Sequence, residues 1–173
     1  MFSSRSSGRK GFWVKKILPF FVLCLVMGSA LFSSCDWSGG SEGGSLTGTW
    51  RDPQAGDGYI ITNTTIRYES GFPAMDFSGT ITSIEDFDNS SGVIIFRYNT
   101  GGPATGRTFG AVYYRGLTAA QMNMATAGRW ESAPPYNDIT PKITTADQAK
   151  REFTRDKGDG YYVTVWGGPY VKD

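Results

Sequence analysis

The chain has 173 residues, 39% hydrophobic and 14% aromatic, with 23 Gly, 2 Cys and no His. This composition excludes a wholly disordered chain and all His-based chemistry, and two Cys build neither a multi-bridge scaffold nor a Cys-only zinc site. The formal charge of +1 hides an asymmetry: residues 1–34 carry five bases and no acid, whereas from Cys35 onward 12 bases face 16 acids.

The N-terminal bases are Arg5, Arg9, Lys10, Lys15 and Lys16. An apolar run over residues 17–32 (ILPFFVLCLVMGSALF) follows them, about as long as a signal h-region and short of the roughly 20 residues that span a bilayer. Small Ser33 and Ser34 then precede Cys35. This order resembles a bacterial lipoprotein signal peptide with its lipobox. Phe32 stands where the stricter pattern has Leu, and the looser box resembles those of spirochaete lipoproteins. The resemblance implies a diacylglyceryl group on the Cys35 thiol and cleavage just before it. Cys24, behind bulky Val22 and Leu23, leaves with the removed peptide. Two or three acyl chains supply on the order of 25–35 kcal/mol of membrane affinity at about 0.8 kcal/mol per CH₂. The expected address is therefore the bacterial cell envelope, lipid-anchored at a membrane surface, with the leaflet open.

Residues 35–45 read as a Gly/Ser-rich tether that buries no core. Ten such residues reach about 17 Å. Trp37, close to the anchor, suits the headgroup level.

From Leu46 the chain becomes a series of short strands broken by turn residues. Expected strands cover 46–50, 59–62, 64–69, 77–84, 93–99, 108–115, 120–125 and 160–166, with a short end at 170–172. Asn63 marks a tight hairpin or a bulge, and the cluster from Asp88 to Gly92 marks a turn. One helix, expected over 144–155, starts at Thr145-Ala146-Asp147-Gln148, which fits a capping box. Phe153 lies on the face that packs back on the body, and Gly158 is the expected C′ residue.

Eight or nine strands and one helix leave no room for the crossovers of a parallel sheet. The expected fold is all-β, an antiparallel up-and-down β-barrel of about eight strands over residues 46–173, with a short helix near the C-terminus. The opening Gly48-Thr49-Trp50 is similar to the Gly-x-Trp of the lipocalin and wider calycin families. That resemblance implies that Trp50 plugs one barrel end and that an Arg near the last strand stacks on it. Arg155 precedes the last expected strand and Lys172 follows it. The span 46–172 also resembles small spirochaete lipoproteins with a lipocalin-like domain, which implies a fold and an address but no activity.

The expected inward side chains are Tyr68, Phe77, Phe96, Tyr98, Phe109, Tyr113, Met122 and Tyr161. In an open barrel they line an apolar ligand pocket with hydroxyl handles; in a closed one they are core. The acids of Glu85-Asp86-Phe87-Asp88 lack EF-hand spacing and read as a solvated turn, so no metal or other cofactor is expected. The Gly-Pro segment around 100–107 has no Lys-Ser/Thr ending and reads as a hairpin loop. No inward acid pair suggests an enzyme, and the acidic balance after Cys35 argues against nucleic acid. The expectation is a non-catalytic, membrane-anchored module for a small hydrophobic ligand. The alternative is a filled barrel that contacts an envelope or host protein through loops such as residues 132–141.

Overall fold

The computed structural model describes residues 44–103, 106–134 and 137–173. The expected signal peptide, Cys35 and all but the last two tether residues lie outside them. Eight strands form a closed antiparallel barrel in which each pairs with the next in sequence and the last pairs with the first. They are β1 (Gly48–Arg51), β2 (Gly58–Ile61), β3 (Thr65–Glu69), β4 (Phe77–Asp88), β5 (Ser91–Thr100), β6 (Phe109–Arg115), β7 (Gln121–Thr126) and β8 (Gly167–Lys172). The helix α1 (Ala146–Glu152) lies between β7 and β8 in sequence.

The capping box forms as the sequence implies: Thr145 Oγ1 accepts from Gln148 N while the Gln148 side chain reaches back to the Thr145 N–H. The helix is shorter than 144–155. It ends when Phe153 turns into the core, and Gly158 instead closes a following 3-10 turn (Arg155–Lys157) with φ −70°.

The expected strand over 160–166 is corrected. That segment is a set of local turns closed by Gly160 N–H to Val163 O and Val163 N–H to Gly158 O, with a single bridge between Asp159 and Val163. Tyr162 and Val163 are buried there, so the apolar signal was a core contact without a ladder. The eighth strand is the stretch the sequence marks only as a short end.

The two ends of the barrel differ. The tight hairpins at 62–64, 89–90 and 116–120 share one end with the entry of the chain; the longer connections, 52–57, 70–76, 101–108 and 127–166, share the other. Two separate cores follow from strand alternation. Trp50, Tyr59, Ile66, Phe77, Ile94, Phe96, Val112, Tyr114, both Met122 and Met124, and Tyr170 fill the inside. Val93, Ile95, Ala111, Tyr113, Ala125 and their neighbours form an outer layer covered by α1 and the 153–163 segment.

Candidate functional site

The register lines up aromatic residues across neighbouring strands: Trp50 opposite Tyr59, Tyr59 opposite Tyr68, Tyr68 opposite Phe77. Their rings continue as a chain around the interior. Centroids lie 5.3 Å apart for Tyr170–Tyr59, 4.8 Å for Tyr59–Tyr68, 5.6 Å for Tyr68–Phe77, 5.1 Å for Phe77–Phe96 and 4.9 Å for Phe96–Tyr98.

Inward-facing glycines make room for these rings. A Cβ on Gly79 would sit 2.3 Å from Phe96 Cδ2, one on Gly92 2.4 Å from the Tyr114 hydroxyl, and one on Gly110 2.6 Å from the Tyr98 hydroxyl. Trp50, Ile66, Ile94, Phe96 and Val112 have 0% exposure, so water reaches them neither from outside nor from within. Side chains fill the barrel, as an eight-stranded barrel permits.

Five of the expected inward residues, Tyr68, Phe77, Phe96, Tyr98 and Met122, are in or against this inner core. Three are not. Phe109 and Tyr113 point outward beneath α1, and Tyr161 lies in the turn segment against the same outer layer. These three are corrected: β5 and β6 are buried on both faces, so apolar character there does not report which face is inside. Tyr59, Tyr114 and Tyr170 are the inner aromatics the sequence reading leaves out; the first and last become visible only through cross-strand register. Trp50 closes the end where the chain enters. Its indole N–H donates to Leu46 O at 2.8 Å, and Lys172 Nζ lies 5.0 Å from its ring centroid. Lys172, and not Arg155, is thus the cation on Trp50; Arg155 instead pairs with Asp88 outside the barrel.

At the opposite end the interior becomes polar. One carboxylate oxygen of Asp57 accepts the hydroxyls of Tyr68 at 2.6 Å and Tyr170 at 3.1 Å; its other oxygen is buried without a partner among the described residues. The Tyr59 hydroxyl meets Thr126 Oγ1 at 3.1 Å. Burial raises the pKa of Tyr59, Tyr68 and Tyr170 well above the ordinary tyrosine range, and the Asp57 charge adds to it. All three therefore remain O–H donors at neutral pH.

Beside them, Arg107 Nη2 lies 3.3 Å from Asp138 Oδ2, with both side chains almost fully buried. The pair attracts without hydrogen-bond alignment, and Arg107 Nε and Nη1 have no partner among the described residues. Burial raises the Tyr98 pKa, while the Arg107 charge pulls it down. Arg107 thereby ties the 101–108 connection to the 127–140 region, where it also reaches Ala127 O at 3.5 Å.

The acids at the β4–β5 hairpin all have internal partners. Glu85 pairs with Lys150, Asp86 accepts the Tyr114 hydroxyl, and Asp88 accepts Ser90 and Ser91. The Ser91 and Ser90 hydrogen bonds, with the Arg155 charge, hold the Asp88 carboxyl below its ordinary value.

No protein-family model, curated protein or solved structure matches the chain.

Most large apolar side chains left in water are in the long connections. Phe72 and Met75 follow β3, and Trp130, Ile139 and Val165 lie between β7 and β8; Val171, on β8, is the sixth among the described residues.

Proposed function

We propose that the protein is a lipid-anchored β-barrel of the bacterial cell envelope that acts as a non-catalytic interaction module. The anchor is the acylated Cys35 and the tether follows it; the long connections at one barrel end contact an envelope or host protein. The observation that carries this reading is the filled interior. Aromatic rings seated in glycine notches favour a packed interior over an internal ligand site, while five of the six exposed large apolar side chains among the described residues lie in connections. The tether joins the barrel at the end closed by Trp50, so the long connections are free of attachment.

Two measurements on the full chain in nonionic detergent test it. Cys35→Ala should lose the acyl mass and stop partitioning with membranes; retention of both removes the anchor. Titration with a fluorescent fatty acid should give no saturable signal. Saturable uptake that falls when Phe96 or Tyr98 is changed would restore an internal ligand site in place of the interaction module.

A further inference from the structure

We propose that the surface running from Arg97 to the Trp130 hollow docks an acidic polypeptide segment that carries an apolar side chain. The proposal names the partner chemistry for the interaction module above and rests on that reading.

The segments that carry it are neighbours. Arg97 on β5 is opposite Phe109 on β6, and Thr108 and Phe109 N–H both donate to Ile143 O. Lys142 lies against the Gly106 backbone; Asp138 meets Arg107; the Ile139 N–H donates to Arg129 O at 2.6 Å. Across 97, 106–109, 128–131 and 137–143 there are four bases (Arg97, Arg107, Arg129, Lys142) and two acids (Glu131, Asp138). The rest of residues 46–173 has the opposite balance, eight bases against twelve acids. A local positive field thus stands on an acidic body.

The cations here are also less neutralised than most of those elsewhere, where only Arg151 and Lys172 lack a carboxylate within 4 Å among the described residues. Arg51, Arg67, Arg115, Lys150, Arg155 and Lys157 each lie within 4 Å of a carboxylate. Arg97, Lys142 and Arg129 are exposed, and none has such a carboxylate among the described residues. Arg129 is steadied without losing its charge: its guanidinium lies 4.6 Å from the Tyr161 ring centroid and donates to the Tyr161 hydroxyl at 2.9 Å. Arg107 and Asp138 are spent on each other.

At the edge of this field an open hollow of about 470 Å³ is lined by residues 129–134 and Ile139. Trp130 is 59% and Ile139 40% exposed. The hairpin beneath them is held by the bridge between Trp130 and Asp138 and by Glu131 N–H to Asn137 O. An exposed Trp beside unpaired Arg is the composition of an interface anchor. The field selects a negatively charged partner and speeds its approach; the hollow receives one apolar side chain and fixes the register. Glu131 also lines the hollow and disfavours extension of the acidic segment past it.

The test measures fluorescence anisotropy of a labelled random copolymer of Glu and Tyr added to the full chain in nonionic detergent, with a Lys–Tyr copolymer as the opposite charge. Saturable binding of the Glu–Tyr copolymer that weakens with salt is expected. Arg97→Glu/Arg129→Glu/Lys142→Glu should weaken it about tenfold or more, and Trp130→Ala several-fold. Because Arg129 contacts Tyr161, Arg97→Glu/Lys142→Glu is the second variant, and it should give a smaller loss with an unchanged melting transition. Lys150→Glu on the helix should leave binding intact. The proposal fails if the Glu–Tyr copolymer does not bind, if it binds the triple variant equally well, or if the Lys–Tyr copolymer binds as tightly. Charge-dependent binding confined to phosphatidylglycerol vesicles also overturns it, and assigns the patch to a lipid surface. Fatty-acid uptake into the core would count against the interaction module and leave these results standing.

Discussion

The inner and outer cores of this barrel are built from similar residues by different rules. Inside, large rings oppose glycines: Phe96 occupies the space left by Gly79, Tyr114 that of Gly92, Tyr98 that of Gly110. Such a core has no room to collapse or expand, because every side of it is a hydrogen-bonded ladder. The outer core lies on β5, β6 and β7 and is covered by a seven-residue helix and a run of turns. Its lid is attached through side chains, caps and ion pairs of modest strength. The inner core should therefore set the stability of the molecule, and the outer one should yield locally.

The largest separation between them should come from removing one ring. Phe96→Ala leaves a void bounded by Phe77, Tyr98 and Gly79, and should lower unfolding stability by about 3–5 kcal/mol. Denaturant titration should show a lower midpoint with an unchanged slope. Phe153→Ala takes the same ring from the outer layer, where the lid can settle, and should fall at or below the low end of that range. A larger loss at Phe153 than at Phe96 would reverse the ranking of the two cores. Next in size is Gly79→Ala. Its Cβ meets Phe96 Cδ2 at 2.3 Å and Arg97 O at 2.9 Å. Overpacking of this kind costs about 1–3 kcal/mol. Placed in the Phe96→Ala background, the substitution should lose most of that cost, since the ring it strikes is gone. Equal costs in both backgrounds would mean that the notch does not hold the ring.

The same contrast decides what the sequence reveals. On β3, polar Arg67 and Glu69 alternate with Ile66 and Tyr68, so one reading of the period places the inner face. On β6, FGAVYYR is buried at its first six positions, and the period gives no face. Phe109 and Tyr113 point outward for that reason, under a helix whose own position the strand pattern does not encode. Tyr161 shows a related effect: buried turns contain the same residue types as buried strands. Strand number and pairing order were legible because turn residues separate the segments locally. Asp57 and the Arg107–Asp138 pair were not, since each depends on contacts between distant connections, and Tyr170 was hidden behind Gly167-Gly168-Pro169 in a stretch that reads as a tail.

The smallest expected effect is also the sharpest probe of how independent the outer layer is. Thr145→Ala removes the oxygen that accepts from Gln148 N at 3.2 Å, while Gln148 Oε1 can still accept from the N–H groups of Thr144 and residue 145. Loss of half the capping box costs about 1 kcal/mol. Because α1 touches the barrel mainly through Ala149 and Phe153, that cost should appear as faster amide exchange across Ala146–Glu152. Amides of β6, which are held by ladders on both sides, should exchange at the parent rate. If those of Ala111 and Tyr113 accelerate with the helix, α1 belongs to the same cooperative unit as the strands, and the outer layer is part of the barrel's foundation instead of a cover laid over it.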